Sequence, residues 1–224
     1  MMIELWHGSP NIIEKPMFGF GKSNNDYGMG FYCTLERELA KEWACPDDTD
    51  GYANRYSLEI DQMRILDLSS DAYCILNWLA LLVVNRHFQA TSPVATQGIE
   101  YLREQFLPDI KGYDAIVGYR ADDSYFSFAR AFVNNTISVD QLAQAMRLGE
   151  LGNQFVLKSE RAFRALTFLG YEEAPSTIYH VRRKSRDDEA RKAYSKSARL
   201  ASLDGLYMRD IIREEVKSDD ARLR

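Results

Sequence analysis

Cysteine is scarce in this chain: Cys33, Cys45 and Cys74 are the only three among 224 residues. Three cannot all pair within one chain, and their spacing matches no zinc knuckle. Histidine is as rare. His7, His87 and His180 lie far apart, which excludes a local histidine-based metal motif. The most apolar run, Ala72 to Val84, is interrupted by Asn77 and closed by Asn85-Arg86-His87. It is too short to span a bilayer and predicts a buried core helix. The first residues, Met1-Met2-Ile3-Glu4-Leu5-Trp6, carry neither the basic segment nor the cleavage site of a secretory signal. Internal repeats and low-complexity tracts are absent. These absences predict a reducing, cytoplasmic setting with no membrane segment.

Apolar residues make up 46% and charged residues 27% of the chain, the balance of a globular domain that builds its core without disulfide or metal staples. A formal charge of −5 gives no support to a wholly basic nucleic-acid binder or to an acidic disordered chain. Tyrosine is abundant, at 13 residues. Rings with polar tips suit a binding site, and they suit a well-filled core equally.

The charge is unevenly spread. Residues 1–181 hold 15 Lys/Arg against 24 Asp/Glu, whereas residues 182–224 hold 13 against 9. The change falls at Arg182-Arg183-Lys184-Ser185-Arg186. Two units are therefore expected: a body over 1–181 and a charged, amphipathic helical tail over 182–224. Leu200, Leu203, Leu206, Tyr207, Ile211, Ile212 and Val216 form an apolar stripe along that tail. Such a stripe either packs back on the body or offers a face to a partner protein or nucleic acid.

Short β-prone runs predict strands at 3–6, 31–34, 52–60, 64–68, 113–118, 154–157 and 176–181. Helices are expected at 35–44 after Thr34, at 71–88, 99–106 and 124–133, and at 139–148 after Ser138. Ser159 is expected to cap a helix from Glu160 to Leu169, with Gly170 ending it. The pattern from Asp187 onward is helical. Strands and helices mix without regular βαβ alternation, which predicts an α+β fold.

Three segments carry the candidate chemistry: Leu5-Trp6-His7-Gly8-Ser9, Asp26-Tyr27-Gly28-Met29-Gly30-Phe31-Tyr32-Cys33-Thr34, and Asn153-Gln154-Phe155-Val156 leading into Leu157-Lys158-Ser159-Glu160-Arg161-Ala162. Each alone is weak. A histidine before Gly-Ser fits a structural turn, and Gly28-x-Gly30 opens toward a strand, unlike a dinucleotide fingerprint. Together they resemble a bacterial family of uncharacterised domains related to ADP-ribosyltransferases, over residues 3 to 170. The Tyr113-Asp114-Ala115-Ile116-Val117-Gly118 and Ala121-Asp122-Asp123 segments fit the same family.

The resemblance implies an ADP-ribosyltransferase-like split β-sheet core with surrounding helices, clamping NAD as substrate in a cleft. It maps a His-Tyr-Glu triad onto His7, Tyr32 and Gln154, with glutamine in place of the usual glutamate. It implies that a neutral His7 holds a ribose hydroxyl. Tyr27, Phe31 or Tyr32 would stack on the nicotinamide ring. Gly8 and Gly28 would let backbone approach the ligand, and Ser9 and Thr34 belong to the same binding segments. A carboxylate beside the ribose would stabilise the charge that develops as the glycosidic bond breaks. Gln154 has none, so Glu160, Asp122 or Asp123 is a possible carboxylate, and Asp26 is a further candidate. Turn chemistry explains Asp26 as well, and helix capping explains Asp122 and Asp123. Arg55 would either pair with the pyrophosphate or point outward. Cys33, with no base partner in view, is expected to be structural.

The function so implied is mono-ADP-ribosyl transfer from NAD to a protein or nucleic acid. The implied setting is the toxin of a toxin–antitoxin or phage-defence system, with an antitoxin protein as partner and the tail as its candidate docking segment. The alternatives are a non-catalytic NAD or ADP-ribose binding module, which Gln154 favours, and an NAD glycohydrolase.

Overall fold

The alternating segment at 52–60 forms a strand, β3 (Gly51–Glu59), which sits in the middle of an antiparallel sheet with β1 (Met2–Ser9) and β7 (Leu166–Ala174), in the order β1-β3-β7. A second sheet has the order β2-β6-β5-β4, built from β2 (Phe31–Cys33), β6 (Asn153–Leu157), β5 (Ala115–Tyr119) and β4 (Ile65–Asp67). Its pairs are antiparallel except β4 with β5. The computed structural model describes residues 1–148, 152–198 and 204–223, without the side chains of Asp123 and Ser197. The fold is α+β, as expected.

The two sheets meet through one bridge, where Trp6 and Thr34 exchange backbone hydrogen bonds of 2.8 Å. Elsewhere they face each other across a shared apolar layer. Leu5, Tyr56 and Leu58 of the first sheet pack against Phe31, Cys33, Ala115, Phe155 and Leu157 of the second. Helix α1 (Arg37–Ala44) covers the first sheet beside β1, where Ala40 packs on Trp6 and Ala53. The larger core lies against the second sheet, where Leu66, Ile116 and Val156 meet a layer of helices. The apolar run expected as a core helix is α2 (Ile75–Asn85), with every residue from Ile75 to Val83 buried. The other helices near it are α3 (Pro93–Gln105), α4 (Asp123–Val133) and α5 (Val139–Ala145). Ser92 and Ser138 cap α3 and α5 through their side chains. The sequence reading began α3 six residues late, because Pro93 opens it at a position where proline's missing N–H costs nothing.

Two expected elements are corrected. The helix expected over 160–169 is only α6 (Glu160–Arg164), and β7 begins at Leu166. Leu166 and Phe168 turn one way and Thr167 and Leu169 the other, the period of a strand. Gly170 does not end a helix. It sits at a shift of register against β3, with φ +132°, where Arg55 pairs with Gly170 and Tyr56 with Phe168. Only glycine adopts that backbone freely, so this is a β-bulge. The strand expected at 176–181 is the first part of α7 (Ser176–Ala198). Its β-prone residues split along the helix: Tyr179 is buried against Ala44, Cys45 and Ala174, while Ile178 and Val181 face solvent.

Helix α7 runs unbroken through position 181/182. Its basic residues bind α1, with Arg182 on Glu38 (2.9 Å) and Arg186 on the buried Glu42 (2.6 Å). Of the expected tail stripe, Leu200 and Leu203 lie outside the described residues. Ile211, on α8 (Met208–Arg213), and Val216 are buried in the main core together with Met208 and Leu223. There the stripe packs back on the body. No helix among the described residues is long and apolar enough to cross a membrane.

Candidate active site

A cleft of about 870 Å³ opens where β1, β2 and β6 come together beside the loop that follows β1. Its size lies in the range of small-molecule sites. Residues Lys15 to Lys22 of the loop form one wall. The loop is pinned at its root. The side chain of Asn54, fully buried on β3, accepts from Ile13 N (2.8 Å) and donates to the carbonyls of Asn11 (3.1 Å) and His7 (3.2 Å). The Tyr56 hydroxyl donates to the Ile13 carbonyl. Beyond this anchor the loop exposes Met17, Phe18 and Phe20 at the mouth of the cleft.

His7, Phe31, Tyr32 and Gln154 all line this cleft. His7 Nδ1 lies 2.6 Å from the carbonyl oxygen of Tyr32. That oxygen can only accept, so Nδ1 carries the proton and Nε2 is left as an acceptor. Burial pushes the His7 pKa below its ordinary value, against the opposing pull of the Tyr32 carbonyl, so the ring is neutral near pH 7. The Phe31 ring lies 4.4 Å from the imidazole, tilted by 30°.

The Tyr32 hydroxyl donates to the Gly28 carbonyl (2.6 Å) and accepts from Tyr27 N (3.0 Å). It thereby holds the Asp26–Gly28 turn against the strand, and burial keeps it protonated. Gln154 is buried at 4% exposure and donates from Nε2 to Asp26 Oδ2 at 2.9 Å. That same oxygen accepts from Ala121 N (2.8 Å), and Oδ1 pairs with Arg86 Nη1 at 3.0 Å. Asp26 is thus a buried carboxylate in the cleft wall, held from three separate segments of the chain.

Other expected residues sit elsewhere. Tyr27 does not line the cleft. It is 1% exposed, in the main core, and its hydroxyl donates to the Tyr119 carbonyl at 2.7 Å. Gly28 lies behind the wall at φ +72°, and a Cβ there would meet Asn85 Oδ1 at 2.7 Å. Gly8 does reach the cleft, but its lack of a side chain serves the helix: a Cβ would strike the Ala40 carbonyl and Ala44 N of α1. Ser9, at the end of β1, and Thr34, in the bridge to Trp6, are buried and accept from Asn11 N and Glu36 N.

Glu160 is exposed and paired with Arg164, outside the cleft wall. Asp122 does line the cleft, with Oδ2 3.2 Å from Arg120 Nε and a buried Oδ1 that has no hydrogen-bond partner among the described residues. The Asp123 side chain lies outside what is described. Arg55 points outward, paired with Glu4 and lying over Trp6. Cys33 is fully buried, and burial raises its pKa, so it stays a thiol.

Sequence reading missed most of the charge in the cleft. Lys15, Lys22, Arg86, Arg120 and Lys158 line it, against Asp26 and Asp122 as its carboxylates among the described residues. Arg86 looked like the polar end of an apolar helix. It lies over the Phe126 ring at 4.1 Å and reaches Asp26. Lys158 follows β6 directly in the third segment and donates to the carbonyls of Tyr27 (2.6 Å) and Met29 (2.5 Å). A body rich in acid thus presents a cationic cleft, the complement of an anionic ligand.

A family model described as "Protein of unknown function (DUF3990)" matches residues 3–168. The chain belongs to that family. No curated protein and no solved structure matches it. The DUF3990 match ends at Phe168, within β7, and includes every cleft-lining residue named above.

Proposed function

We propose that this DUF3990 chain is a mono-ADP-ribosyltransferase that moves ADP-ribose from NAD to a macromolecular acceptor. The observation that carries the reading is the meeting of His7, Tyr32 and Gln154, on three separate strands, in one cationic cleft. These are the positions onto which the sequence resemblance maps its triad. The chemistry of the wall fits NAD. Neutral His7 offers an acceptor to a ribose hydroxyl, the faces of Phe31 and Tyr32 offer a surface to a flat ring, and the lysines and arginines complement a pyrophosphate. The split arrangement of the two sheets accords with the expected ADP-ribosyltransferase-like core. In a toxin–antitoxin or phage-defence setting, the acceptor would be a host protein or nucleic acid, and an antitoxin protein would neutralise the chain.

The test is direct. The full chain is incubated with NAD labelled in the adenylate part and with a cell lysate. Label on protein or nucleic acid that is lost in His7→Ala supports transfer. Labelling that survives both His7→Ala and Tyr32→Ala overturns the site. Gln154, neutral where a carboxylate is expected, favours a second reading, an NAD or ADP-ribose binding module. Micromolar binding of NAD with no label transferred selects it. Free ADP-ribose without a labelled macromolecule selects a glycohydrolase.

A further inference from the structure

The reaction proposed above needs a negative charge beside the ribose, and the side chain at the triad's third position has none. Two carboxylates among the described residues line the cleft, Asp26 and Asp122. They differ in what surrounds them. Asp122 lies with Arg120, whose guanidinium stacks on Trp43 at 3.8 Å. Asp26 is bonded directly to Gln154, and the turn that carries it is bonded to the Tyr32 hydroxyl.

We infer that Asp26 is the carboxylate of this active site, and that Gln154 is the residue that positions it. The inference rests on the ADP-ribosyltransferase reading. A carboxylate accepts about four hydrogen bonds. Among the described residues, Asp26 accepts three, two at Oδ2 from Gln154 and Ala121 and one at Oδ1 from Arg86. One acceptor direction at Oδ1 is left for a ribose hydroxyl. The departure at position 154 then has a reason. A glutamate there would set a second carboxylate against Asp26 at the 2.9 Å now spanned by an N–H···O bond, and two carboxylates so close do not both stay ionised. Glutamine supplies the N–H that a glutamate lacks. On this reading the charge sits on the turn before β2 and not on β6, and the Gln154–Asp26 hydrogen bond in the cleft wall keeps it beside position 154.

In the transfer step, the bond between the ribose carbon and the nicotinamide nitrogen breaks. Its electron pair goes to that nitrogen, which was cationic and leaves neutral. Positive charge builds on the ribose, and the Asp26 carboxylate stabilises it through space and through the bound hydroxyl. The acceptor's lone pair forms the new bond to the ribose carbon, and the acceptor's proton passes to solvent water.

The test compares the wild-type chain, Asp26→Asn, and the exchange Asp26→Asn/Gln154→Glu. The exchange keeps one amide and one carboxylate but reverses their places. Nicotinamide release from NAD in the presence of a cell lysate gives the rate, calorimetry gives the Kd for NAD, and thermal melting reports folding. Asp26→Asn is expected to slow release by about 100-fold, the scale of losing one charged group that acts in the transition state, with the Kd for NAD nearly unchanged. The exchange is expected to recover a measurable part of that rate. If Asp26→Asn does not fold, the comparison is made in Asp26→Asn/Arg86→Gln, which removes both charges of the pair.

Release by folded Asp26→Asn, or by that double variant, at the wild-type rate overturns the inference and leaves the transferase reading standing. A wild-type chain that binds NAD without releasing nicotinamide overturns the inference in favour of the binding module. A wild-type chain that does neither overturns both.

Discussion

The imidazole of His7 and the backbone carbonyl of Tyr32, 2.6 Å apart, tie strand β1 to strand β2 just beyond the bridge that joins the two sheets. The contact has an acid-base consequence. Burial holds the His7 pKa below 6.5 in the folded chain, so the unfolded chain takes up the proton first. The contribution of His7 to stability is therefore complete above pH 6.5 and falls as the pH drops below it. Urea melts of the wild type and of His7→Gln across pH 7.5 to 5.5 check this. The wild type is expected to lose more stability on acidification. Imidazole resonances should show the His7 ring still mostly neutral at pH 6.5.

Gly8→Ala is expected to destabilise the fold. The added methyl would meet the Ala40 carbonyl, Ala44 N at 2.7 Å and Trp43 Cβ at 2.8 Å. Two of these are backbone atoms of α1, so the helix must lift from β1 as a unit. Overpacking of this kind costs about 1–3 kcal/mol. A fall in melting temperature, with NAD affinity reduced because His7 moves with the strand, is the expected result. An unchanged melt would mean that α1 is not seated on Gly8.

The parts of this molecule that were legible in sequence are those fixed by local chemistry. Ser92 was not recognised, but Ser138 and Ser159 were read correctly as caps, because a serine's bond to the third amide on is set by sequence spacing alone. The apolar run of α2 was equally plain. The errors at 166–169 and 176–181 arose where propensity and tertiary pairing disagree. Leu166-Thr167-Phe168-Leu169 follows a capped helix closely enough to pass as its continuation, and only pairing with β3 makes it a strand. Within the site, His7, Phe31, Tyr32 and Gln154 were found through a motif. Tyr27 was misplaced because its partner, the Tyr119 carbonyl, is 92 residues away. Arg86 and Lys158 were missed for the same reason: nothing in their neighbours signals a partner that only the fold delivers.

Asn54→Ala is expected to loosen the wall of the cleft. The substitution strips three backbone groups, Ile13 N and the carbonyls of Asn11 and His7, of their buried partner. Leaving such groups unsatisfied costs about 1–3 kcal/mol. The cost is local, because the loop from Lys15 to Lys22 hangs from this anchor. Trypsin should cut after Lys22 faster in the variant, since Pro16 protects the bond after Lys15, and NAD should slow the cutting in the wild type. Equal rates in the two proteins would place the anchor elsewhere, with Tyr56 the next residue to test.

Asp114 gives a second acid-stability prediction of the same sign, since its pKa, like that of His7, is lowered in the folded chain. It accepts from Arg64 N (2.8 Å), from Ser159 Oγ (2.6 Å) and from Arg161, joining the start of β5 to the cap of α6. The Arg161 guanidinium, more than any other group, holds its pKa down to about 2. A depressed carboxyl adds stability above its unfolded value of 3.8 and loses it as the pH falls toward 2. Asp114→Asn should cost about 2 kcal/mol at neutral pH, the worth of a charged hydrogen bond, and should flatten the acid limb of the stability curve between pH 4 and 2. A variant as acid-labile as the wild type would assign that limb to other carboxylates.

The C-terminal residues test whether the family-matched segment stands alone. Cutting the chain after residue 181 removes Ala190, Met208, Ile211, Val216 and Leu223 from the main core. It also removes Tyr194, whose ring stacks on Phe128 at 4.1 Å, and the Val216 carbonyl that accepts from the Tyr101 hydroxyl. Gly98 marks how closely α3 and α8 approach, since a Cβ there would meet Met208 Cγ at 2.7 Å. Each large apolar side chain so buried is worth about 1.5–3 kcal/mol. Together they rival the whole net stability of a domain, about 5–15 kcal/mol. A 1–181 fragment is therefore expected to bind a hydrophobic dye and to melt without a cooperative transition, while the full chain melts in one step. A cooperative melt of the fragment near the full chain's temperature would instead make the C-terminal segment a separate appendage, free for a partner.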